Sequence, residues 1–387
     1  MACMWTRRGF LGSGAAAAVQ AGRAVAKADL ATPALVVDLD AFEANLQKMA
    51  AHVKAAGRGF RPHGKTHKSP TVAKRLAAAG AAGACAAKLG EAEAFAAGGV
   101  RGLLVTSAVV GKAKLERALA LARRQPDTIF CVDDAANAAE WNAAAATTRQ
   151  RIRVAIDLWV GRRTGILPGA PAVALAEKIA QSRHLELAGL QAYAGHSSHV
   201  TGWEARRKSS EEAMAEAVAT RRALEKLGIE GPLLTGGSTG TYNIDTALDG
   251  MTELQPGSFL FMDIDYRKIG GRGGALYDDF APSLFVVCTV ISRPKPDLAI
   301  VDGGFKAFAT DRGYGPEAWR RPDLTYRFAG DEHGAVTMKG DELKVGDRLD
   351  FLVPHCDPTV NLYDRMYALR GDRVVEEWAI TARGRSQ

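Results

Sequence analysis

The sequence of 387 residues has few cysteines and no pairing pattern among them, which argues against a disulfide-built scaffold. The five cysteines are Cys3, Cys85, Cys131, Cys288 and Cys356. No apolar run is long enough to span a bilayer, so no membrane span is predicted. The formal net charge is +7, and four of the positive side chains precede the first acidic residue, Asp29. The remainder therefore carries 7 − 4 = +3, which is too little to indicate a nucleic-acid-binding surface.

Residues 1–28 are not expected to form part of the fold. The segment Thr6-Arg-Arg-Gly-Phe-Leu11 is followed by an Ala-rich apolar stretch and by Ala24-Val-Ala26, a candidate cleavage site. This arrangement is similar to a twin-arginine export signal, which predicts a periplasmic protein. The alternative is a disordered leader on a cytoplasmic protein.

From Gly59 onward, short apolar segments alternate with Ala-rich helical segments. Strands separated by helices predict a parallel sheet, and eight such units in about 200 residues predict an α/β fold of the closed (β/α)8 TIM-barrel type. An open doubly wound sheet is the alternative, although the sequence has no G-x-G-x-x-G motif to support it. The eight predicted strands are Gly59–His63, Gly83–Lys88, Gly102–Thr106, Thr128–Val132, Ile152–Asp157, Leu187–Tyr193, Pro232–Thr235 and Glu253–Gln255.

After Asp263 the pattern changes to strands joined by turns, which predicts a second, mostly antiparallel β domain. We assign residues 29–270 to the barrel and residues 271–387 to the β domain. The early strand Ala34–Asp38 precedes the barrel strands and is a candidate to join the β domain. The predicted strands of the β domain are Leu284–Ile291, Asp297–Val301, Leu324–Phe328 and Arg348–Val353.

Lys65 follows the first predicted barrel strand, and the chemistry of such barrels lies at the carboxyl ends of their strands. A lysine that does covalent chemistry must lose its proton near neutral pH. Four neighbouring cations predict a lowered pKa for Lys65, and the alternative is a solvated basic turn. These cations are Arg61, His63, His67 and Lys68.

A phosphate cradle is predicted after the seventh and eighth strands. The segment Thr235-Gly-Gly-Ser-Thr-Gly-Thr241 offers backbone N–H groups without side-chain obstruction, and a second small-residue turn follows the next strand. Barrels commonly bind phosphate between these two loops, while a purely structural Gly-rich turn is the alternative. The candidate residues are Gly237, Ser238, Thr239, Gly240, Gln255, Gly257 and Ser258.

Two further loops carry candidate site residues. Arg163 follows the fifth strand, and its guanidinium suits a carboxylate or phenolate oxygen, or else it is a surface arginine. Tyr193, His196 and His199 follow the sixth strand, where an imidazole could act as a general base or simply be solvated.

His355 and Asp357 form a candidate metal site in the β domain. On an extended chain these two side chains point the same way and Cys356 points away. An imidazole and a carboxylate suit Mn²⁺ or Zn²⁺ and leave coordination positions open for substrate. The segment Asp331-Glu-His333 is a candidate to orient these ligands.

Five motifs together resemble the D-threonine aldolase and D-serine dehydratase family, fold-type III enzymes related to alanine racemase. The resemblance extends from about Thr32 to Arg383. The motifs are Pro-His-Gly-Lys-Thr-His-Lys around Lys65, the arginine Arg163, Gly-Gly-Ser-Thr-Gly at 236–240, Glu-Leu-Gln-Pro-Gly-Ser-Phe at 253–259 and Pro-His-Cys-Asp-Pro-Thr at 354–359.

The resemblance implies a homodimer, pyridoxal 5′-phosphate (PLP) held on Lys65, and a divalent metal at His355 and Asp357. The metal is expected to be Mn²⁺, with Zn²⁺, Mg²⁺ or Co²⁺ as alternatives. It also implies that Tyr193 lies near the cofactor ring, and that Arg163 lies near its phenolate oxygen or the substrate carboxylate. Dehydratases of this family look like His-x-Cys at the metal and aldolases like His-x-Asp, so Asp357 favours an aldolase.

The implied reaction is retro-aldol cleavage of a D-3-hydroxy amino acid, in which D-threonine gives glycine and acetaldehyde. His199, or a water on the metal, would take the proton of the β-hydroxyl group. Dehydration of D-serine or D-3-hydroxyaspartate on the same scaffold is the second hypothesis. A non-catalytic PLP carrier is the third, and the extra β domain counts against it.

Overall fold

The chain folds into a barrel of eight parallel strands and a second sheet of nine strands. The computed structural model describes residues 25–161, 163–340 and 342–387. A 3-10 helix at Lys27–Asp29 precedes strand β1 (Ala34–Asp38) and helix α1 (Leu39–Ala55). Helix α1 begins where it does because the Asp38 side chain accepts a hydrogen bond from the Ala41 N–H group.

The eight barrel strands confirm the eight strands predicted from the sequence. Their order is β2-β9-β8-β7-β6-β5-β4-β3, and a parallel bridge between His63 and Cys85 joins the two ends of the sheet. The predicted TIM-type barrel is therefore the observed architecture. The strands are β2 (Gly59–Phe60), β3 (Ala84–Ala86), β4 (Leu103–Val105), β5 (Ile129–Val132), β6 (Ile152–Asp157), β7 (Leu185–Ala192), β8 (Leu233–Gly236) and β9 (Glu253–Leu254).

Helices cover the outside of the barrel, and a separate cluster of apolar side chains packs inside it. Along β4, Leu103 and Val105 pack toward the helices, whereas Leu104 packs inside with Cys85 and Cys131. This alternation follows from the two-residue period of a strand. The helices are α2 (Pro70–Ala78), α3 (Leu89–Ala97), α4 (Lys112–Arg124), α5 (Ala135–Thr147), α6 (Ala170–Ala180), α7 (Trp203–Lys226), α8 (Tyr242–Asp245) and α9 (Ile264–Arg267), with 3-10 helices at Ser197–His199 and Ser258–Leu260.

The second sheet is antiparallel except where β1 pairs with β16. Strand β1 also pairs with β10, so the strand predicted at Ala34–Asp38 lies in this sheet and not in the barrel. The other elements are β10 (Leu284–Lys295), β11 (Leu298–Val301), β12 (Glu317–Ala318), β13 (Thr325–Phe328), β14 (Gly334–Thr337), β15 (Arg348–Leu352), α10 (Cys356–Val360), β16 (Arg365–Arg370) and β17 (Arg373–Ala379).

The four strands predicted for the β domain correspond to β10, β11, β13 and β15. The sequence prediction missed β12, β14, β16 and β17. Strand β12 is only two residues long, and most side chains of β17 are at least partly exposed, so neither has a strong apolar pattern.

Hydrogen bonds join the end of the barrel to the β domain directly above the barrel mouth. The N–H groups of Ile264 and Asp265 donate to the carbonyl groups of Val353 (3.1 Å) and Pro354 (3.2 Å). In the reverse direction, the Cys356 N–H donates to the buried carboxylate of Asp263 at 2.8 Å. This junction holds the segment containing His355 and Asp357 over the strand ends.

The predicted leader spans residues 1–28, and residues 1–24 lie outside the described part of the chain. The expectation that the fold begins only after residue 28 was wrong for the rest, because Ala26 forms a bridge with Arg373 and the Lys27 N–H donates to the Asp372 carbonyl at 2.7 Å. None of the helices in the described ranges combines the length and the apolar character needed to cross a bilayer.

Candidate active site

A cleft lies where the barrel mouth meets the β domain. Four of the residues that line it were not among the predicted site residues, namely His63, Thr66, Tyr266 and Arg312. The predicted residues Arg163, Gly237 and Gly240 do not line it. The ten predicted residues that do are Lys65, Tyr193, His199, Ser238, Thr239, Gln255, Gly257, Ser258, His355 and Asp357.

Lys65 lies in the turn after β2, with its Nζ atom 5.5 Å from the centre of the Tyr193 ring. The prediction of a lowered lysine pKa was wrong. Tyr193 raises the pKa of Lys65 most strongly and Asp357 adds to this, against the opposing effects of burial and Arg163. The amine is therefore held as a cation by groups that come from distant parts of the sequence.

The four cations expected to lower the pKa of Lys65 are neutralised or paired elsewhere. Arg61 forms a two-pronged ion pair with Glu253, with N–O distances of 3.0 and 2.9 Å, and Lys68 pairs with Glu91. Burial lowers the pKa of His63 well below its usual range and that of His67 to about 3, so both imidazoles are neutral.

The two turns after β8 and β9 contain backbone N–H groups that have no acceptor among the described residues. Within the described residues, the N–H groups of Thr239, Gly240, Gly257 and Ser258 donate no hydrogen bond. A Cβ atom on Gly240 would lie 2.2 Å from the Ser198 carbonyl oxygen, and one on Gly257 would lie 2.4 Å from Thr66 Oγ1. Free N–H groups in turns where Gly240 and Gly257 leave no room for a side chain fit the phosphate of PLP.

Side chains tie the two turns to each other and to the barrel. The Phe259 N–H donates to Thr239 Oγ1 at 2.9 Å, which joins the second turn to the first. Ser238 Oγ lies 2.6 Å from Ser198 Oγ, which lies 2.9 Å from the Tyr266 hydroxyl. This hydroxyl chain connects the turn after β8 to the loop that carries His199.

Asp245 supports the first turn from behind. Its carboxylate accepts hydrogen bonds from Ser210 (2.6 Å) and Thr241 (2.5 Å), and the Thr241 hydroxyl also accepts from the Ser238 N–H. Burial raises the pKa of Asp245 to about 6, although both hydrogen bonds oppose this.

Arg163 and Gln255 have polar partners inside the barrel. Arg163 lies 3.4 Å from the buried carboxylate of Asp157, and its guanidinium is 5.7 Å from the centre of the Tyr193 ring. The Gln255 amide donates to Thr235 Oγ1 at 3.0 Å and to Gln191 Oε1 at 3.3 Å. Gln255 thus lines the cleft, whereas Arg163 lies beside Tyr193 and does not line it.

His199 has a carboxylate partner that the sequence analysis did not identify. Its Nδ1 atom lies 2.8 Å from Asp265 Oδ2, and its ring is 4.6 Å from that of Tyr266. Arg312 also reaches Asp265, at 2.9 Å. Asp265 and Tyr266 lie beyond the buried apolar residues 259–262, so the polar residues that follow this apolar segment were the available signal. Arg312 had none.

His355 and Asp357 face each other across 3.4 Å, from Nε2 to Oδ2. The chain is extended only at His355, because helix α10 begins at Cys356, so the expectation of an extended segment was wrong. The two side chains nevertheless converge, and Cys356 is buried away from them. Asp357 Oδ1 is buried and accepts no hydrogen bond within the described ranges.

Asp311, and not the predicted Asp331-Glu-His333 segment, orients His355. Its carboxylate lies 2.8 Å from His355 Nδ1, whereas Asp331 and Glu332 pair with Lys306 on the surface. A carboxylate on one nitrogen of a histidine leaves the other free for a metal. Two protein ligands with an unpartnered oxygen fit a divalent cation, although no group of three or more His, Cys, Asp or Glu residues in the described ranges could hold one.

The charges around His355 and Asp357 shift their pKa values in the direction opposite to the effect of burial. Burial acts to lower the pKa of His355, but Asp357, Asp263 and Asp311 outweigh it and raise that pKa to about 9. Burial acts to raise the pKa of Asp357, but Lys65 and His355 hold it well below the usual range. The cleft therefore places a fixed negative charge between a lysine and an imidazole.

Two protein-family models match most of this chain. Residues 37–265 match the alanine racemase N-terminal domain family, and residues 283–369 match the putative serine dehydratase domain. A 3-hydroxy-D-aspartate aldolase from Paracoccus denitrificans (strain Pd 1222) is 38% identical over 364 residues, covering 93% of this chain and 94% of the relative. A D-threonine aldolase from Arthrobacter sp. is 37% identical, covering 95% and 96%.

A dehydratase and a solved aldolase structure are also similar to this chain. A D-threo-3-hydroxyaspartate dehydratase from Delftia sp. (strain HT23) is 32% identical, covering 90% of this chain and 97% of the relative. The crystal structure of D-threonine aldolase from Filomicrobium marinum superposes with a TM-score of 0.89 at 36% identity, covering 94% of this chain and 98% of that one. The chain thus belongs to the D-threonine aldolase and D-serine dehydratase family of alanine racemase-like PLP enzymes, and it is a lyase of the aldolase type.

Proposed function

We propose that this enzyme cleaves D-3-hydroxy amino acids to glycine and an aldehyde, with D-threonine giving acetaldehyde. The observation that carries the proposal is that Lys65, His199 and the His355–Asp357 pair line one cleft. Retro-aldol cleavage needs a cofactor at Cα, a proton acceptor at the β-hydroxyl and a means of acidifying that hydroxyl. These three sets of residues meet the three needs in turn.

The residues on the barrel side of the cleft can hold PLP in the roles predicted from the sequence. Lys65 would hold it and the N–H groups of the two turns would bind its phosphate. Tyr193 would lie near its ring, and Arg163, beside Tyr193, near its phenolate oxygen or the substrate carboxylate. When bound, PLP supplies an electron sink for the charge left on Cα. The barrel side of the cleft thus provides binding and orientation.

His199 is the proposed proton acceptor. Its Nδ1 atom is held at Asp265, which leaves Nε2 as the nitrogen that can take a proton from the β-hydroxyl. His355 and Asp357 would hold a divalent cation, Mn²⁺ first and Zn²⁺, Mg²⁺ or Co²⁺ as alternatives. That cation would supply Lewis acidity at the same hydroxyl.

The test is a pair of incubations with PLP and Mn²⁺, one with D-threonine and one with L-threonine, in which acetaldehyde and glycine are followed. We expect both products from the D-isomer alone. D-3-Hydroxyaspartate is run beside them, because one of the relatives is a 3-hydroxy-D-aspartate aldolase. Aldehyde from L-threonine, or none from any D-substrate, would contradict the proposal.

Dehydration is the second candidate because the Delftia relative is a dehydratase. It would release a 2-oxo acid and ammonia in place of an aldehyde and glycine, so the same incubations separate the two reactions. Since Asp357 favours the aldolase, Asp357→Cys should shift products toward dehydration. Unchanged product ratios in an active variant would contradict this assignment.

We further propose a homodimer and export through the twin-arginine-like leader, as the resemblance and the leader sequence suggest. Light scattering of the purified enzyme tests the dimer. Replacing Arg7 and Arg8 by lysine tests export, because periplasmic enzyme should then be lost while total enzyme persists.

A further inference from the structure

Arg206 is a fully buried arginine on α7 that binds only backbone carbonyl groups. Its Nε atom donates to Gly240 O at 2.8 Å, and Nη2 donates to Gly270 O at 2.8 Å. Nη1 donates to both Val200 O (2.9 Å) and Ile269 O (3.0 Å). One side chain therefore joins three separate segments that surround the cleft.

These segments carry the parts of the proposed site. Val200 directly follows His199, Gly240 belongs to the turn after β8, and Ile269 lies shortly after Asp265 and Tyr266. Tyr277, whose ring lies 5.5 Å from the Arg206 guanidinium, donates from its hydroxyl to Thr239 O at 2.6 Å. Tyr277 and Arg206 thus bind two consecutive carbonyl groups of the turn, those of Thr239 and Gly240.

The geometry of the peptide bond between Thr239 and Gly240 leaves the Gly240 N–H available for an anion. In a trans peptide the C=O and N–H groups point in opposite directions. Because Tyr277 holds the Thr239 carbonyl, the N–H of Gly240 points the other way, and it has no acceptor among the described residues. Arg206 fixes the next carbonyl and so holds Gly240 in place.

The charge of Arg206 has no carboxylate partner. No ion pair involves it in the described ranges, whereas its neighbour Arg207 is exposed and pairs with Glu204 and Glu211. A buried guanidinium stays charged because its pKa lies far above neutrality, and burying it without a counter-ion is costly. A dianionic group at the turn would offset that cost.

We propose that Arg206 is a positioning residue for the cofactor phosphate, which it serves by holding the Gly240 carbonyl and by placing an unpaired positive charge behind the turn. The inference rests on the proposed function, in which this turn binds the phosphate of PLP. It adds a residue outside the cleft lining whose charge favours phosphorylated over unphosphorylated cofactor.

The test compares PLP with pyridoxal, which lacks the phosphate, on cofactor-free Arg206→Gln, Arg206→Lys and wild-type enzyme. Dissociation constants are measured by equilibrium dialysis, and melting temperatures confirm folding. Arg206→Gln should weaken PLP binding on the order of tenfold and pyridoxal binding by less than about twofold. Arg207→Gln is the control and should change neither.

Equal losses for both ligands, or no loss for PLP in a folded Arg206→Gln variant, would overturn the proposal. If the Gln variant does not fold, Arg206→Lys decides, because it keeps the charge and should keep the wild-type ratio of the two affinities. A roughly tenfold fall in that ratio would overturn the proposed role of charge.

A measurement on the wild-type enzyme needs no variant. Inorganic phosphate should raise the melting temperature of cofactor-free enzyme more than chloride does at equal ionic strength, and no difference would overturn the inference. Failure of the proposed function is separately visible, because the wild type would then bind no PLP or release no aldehyde from D-threonine.

Discussion

The barrel side of the cleft and its β-domain side carry different chemical groups. The barrel contributes a lysine, hydroxyl groups, an amide, free backbone N–H groups and the imidazoles of His63 and His199. The β domain contributes an imidazole, an arginine and carboxylates, including Arg312, His355 and Asp357. One side suits a phosphorylated ring and the other a cation and a substrate hydroxyl. The division suggests that the cofactor belongs to the barrel, whereas the choice of reaction belongs to the β domain.

Removing the amine of the barrel side should have the largest effect. Lys65→Ala should abolish aldehyde formation, because no other lysine lines the cleft among the described residues. Borohydride trapping and peptide mapping of the wild type should find PLP on Lys65. Lys88→Ala, an exposed lysine in the loop after the next strand, is the control and should remain active. Trapping on another lysine would contradict the division of the cleft.

Metal removal tests the β-domain side. A chelator should abolish cleavage, and Mn²⁺ should restore it in the wild type but not in Asp357→Ala. Asp311→Asn should weaken metal affinity by about 10–100-fold, because Asp311 orients His355. Asp331→Ala, which loses only a surface contact with Lys306, should behave like the wild type. Full activity in chelator would refute a catalytic metal.

His199 lies on a barrel loop but is proposed to act on the β-hydroxyl group. It therefore tests whether cofactor binding and reaction chemistry are fully separated between the two sides of the cleft. His199→Gln should lower kcat roughly 10²- to 10⁴-fold, the usual contribution of a general base. PLP binding should be retained, as followed by absorbance. His184→Gln changes a histidine bonded to the Gln150 carbonyl at the start of β7, and should leave kcat unaltered. Loss of PLP binding by His199→Gln would instead place His199 with the cofactor residues.

The buried ion pair between Arg61 and Glu253 tests how much the barrel side contributes to the stability of the fold. Glu253→Gln leaves the Arg61 guanidinium buried without its partner and should lower the free energy of unfolding by about 3–5 kcal/mol. Urea unfolding measures this difference. Asp323→Asn removes the exposed pair with Arg321 in the β domain and should change urea stability little. Similar decreases in the free energy of unfolding in both variants would contradict the idea that the buried barrel pair contributes more to stability than the exposed pair.

The smallest predicted effect concerns pH. The pKa of Asp245 is about 6 in the folded chain and about 3.9 in an unfolded one, so folding favours its protonated form. Its stabilisation is complete below about pH 4 and is lost as the pH rises through about 6. The full change is at most about 3 kcal/mol. Urea unfolding of Asp245→Asn between these values should show a shallower decline than the wild type, and parallel curves would refute the assignment.

The sequence predicted the barrel half well because its rules are local. All eight strands follow from apolar runs between helices, and Lys65 and Ser238 were identified because polar residues after such strands lie on one rim. His355 and Asp357 were identified by residue type and spacing. Their convergence survives although α10 replaces the expected extended chain, because the junction with Asp263 holds the segment in place.

The failures share one physical cause. The pKa of Lys65 was predicted from its neighbours in sequence, but Tyr193 and Asp357 determine it across the cleft. Asp311 was missed for the same reason, since nothing near it in the chain indicates that it reaches His355. Electrostatic interactions depend on distance in space and on burial, and sequence position reports neither.

The amino-acid order alone determined the strand and helix periods, the Gly-rich turns and the residue types available for chemistry, because these depend on contacts between near neighbours in the chain. Only the tertiary structure decided which of those groups meet, which cations are neutralised by ion pairs such as Arg61–Glu253, and how Arg206 comes to lie behind the turn. Charge pairing and burial are properties of the packed molecule, so they arise only when distant segments are brought together.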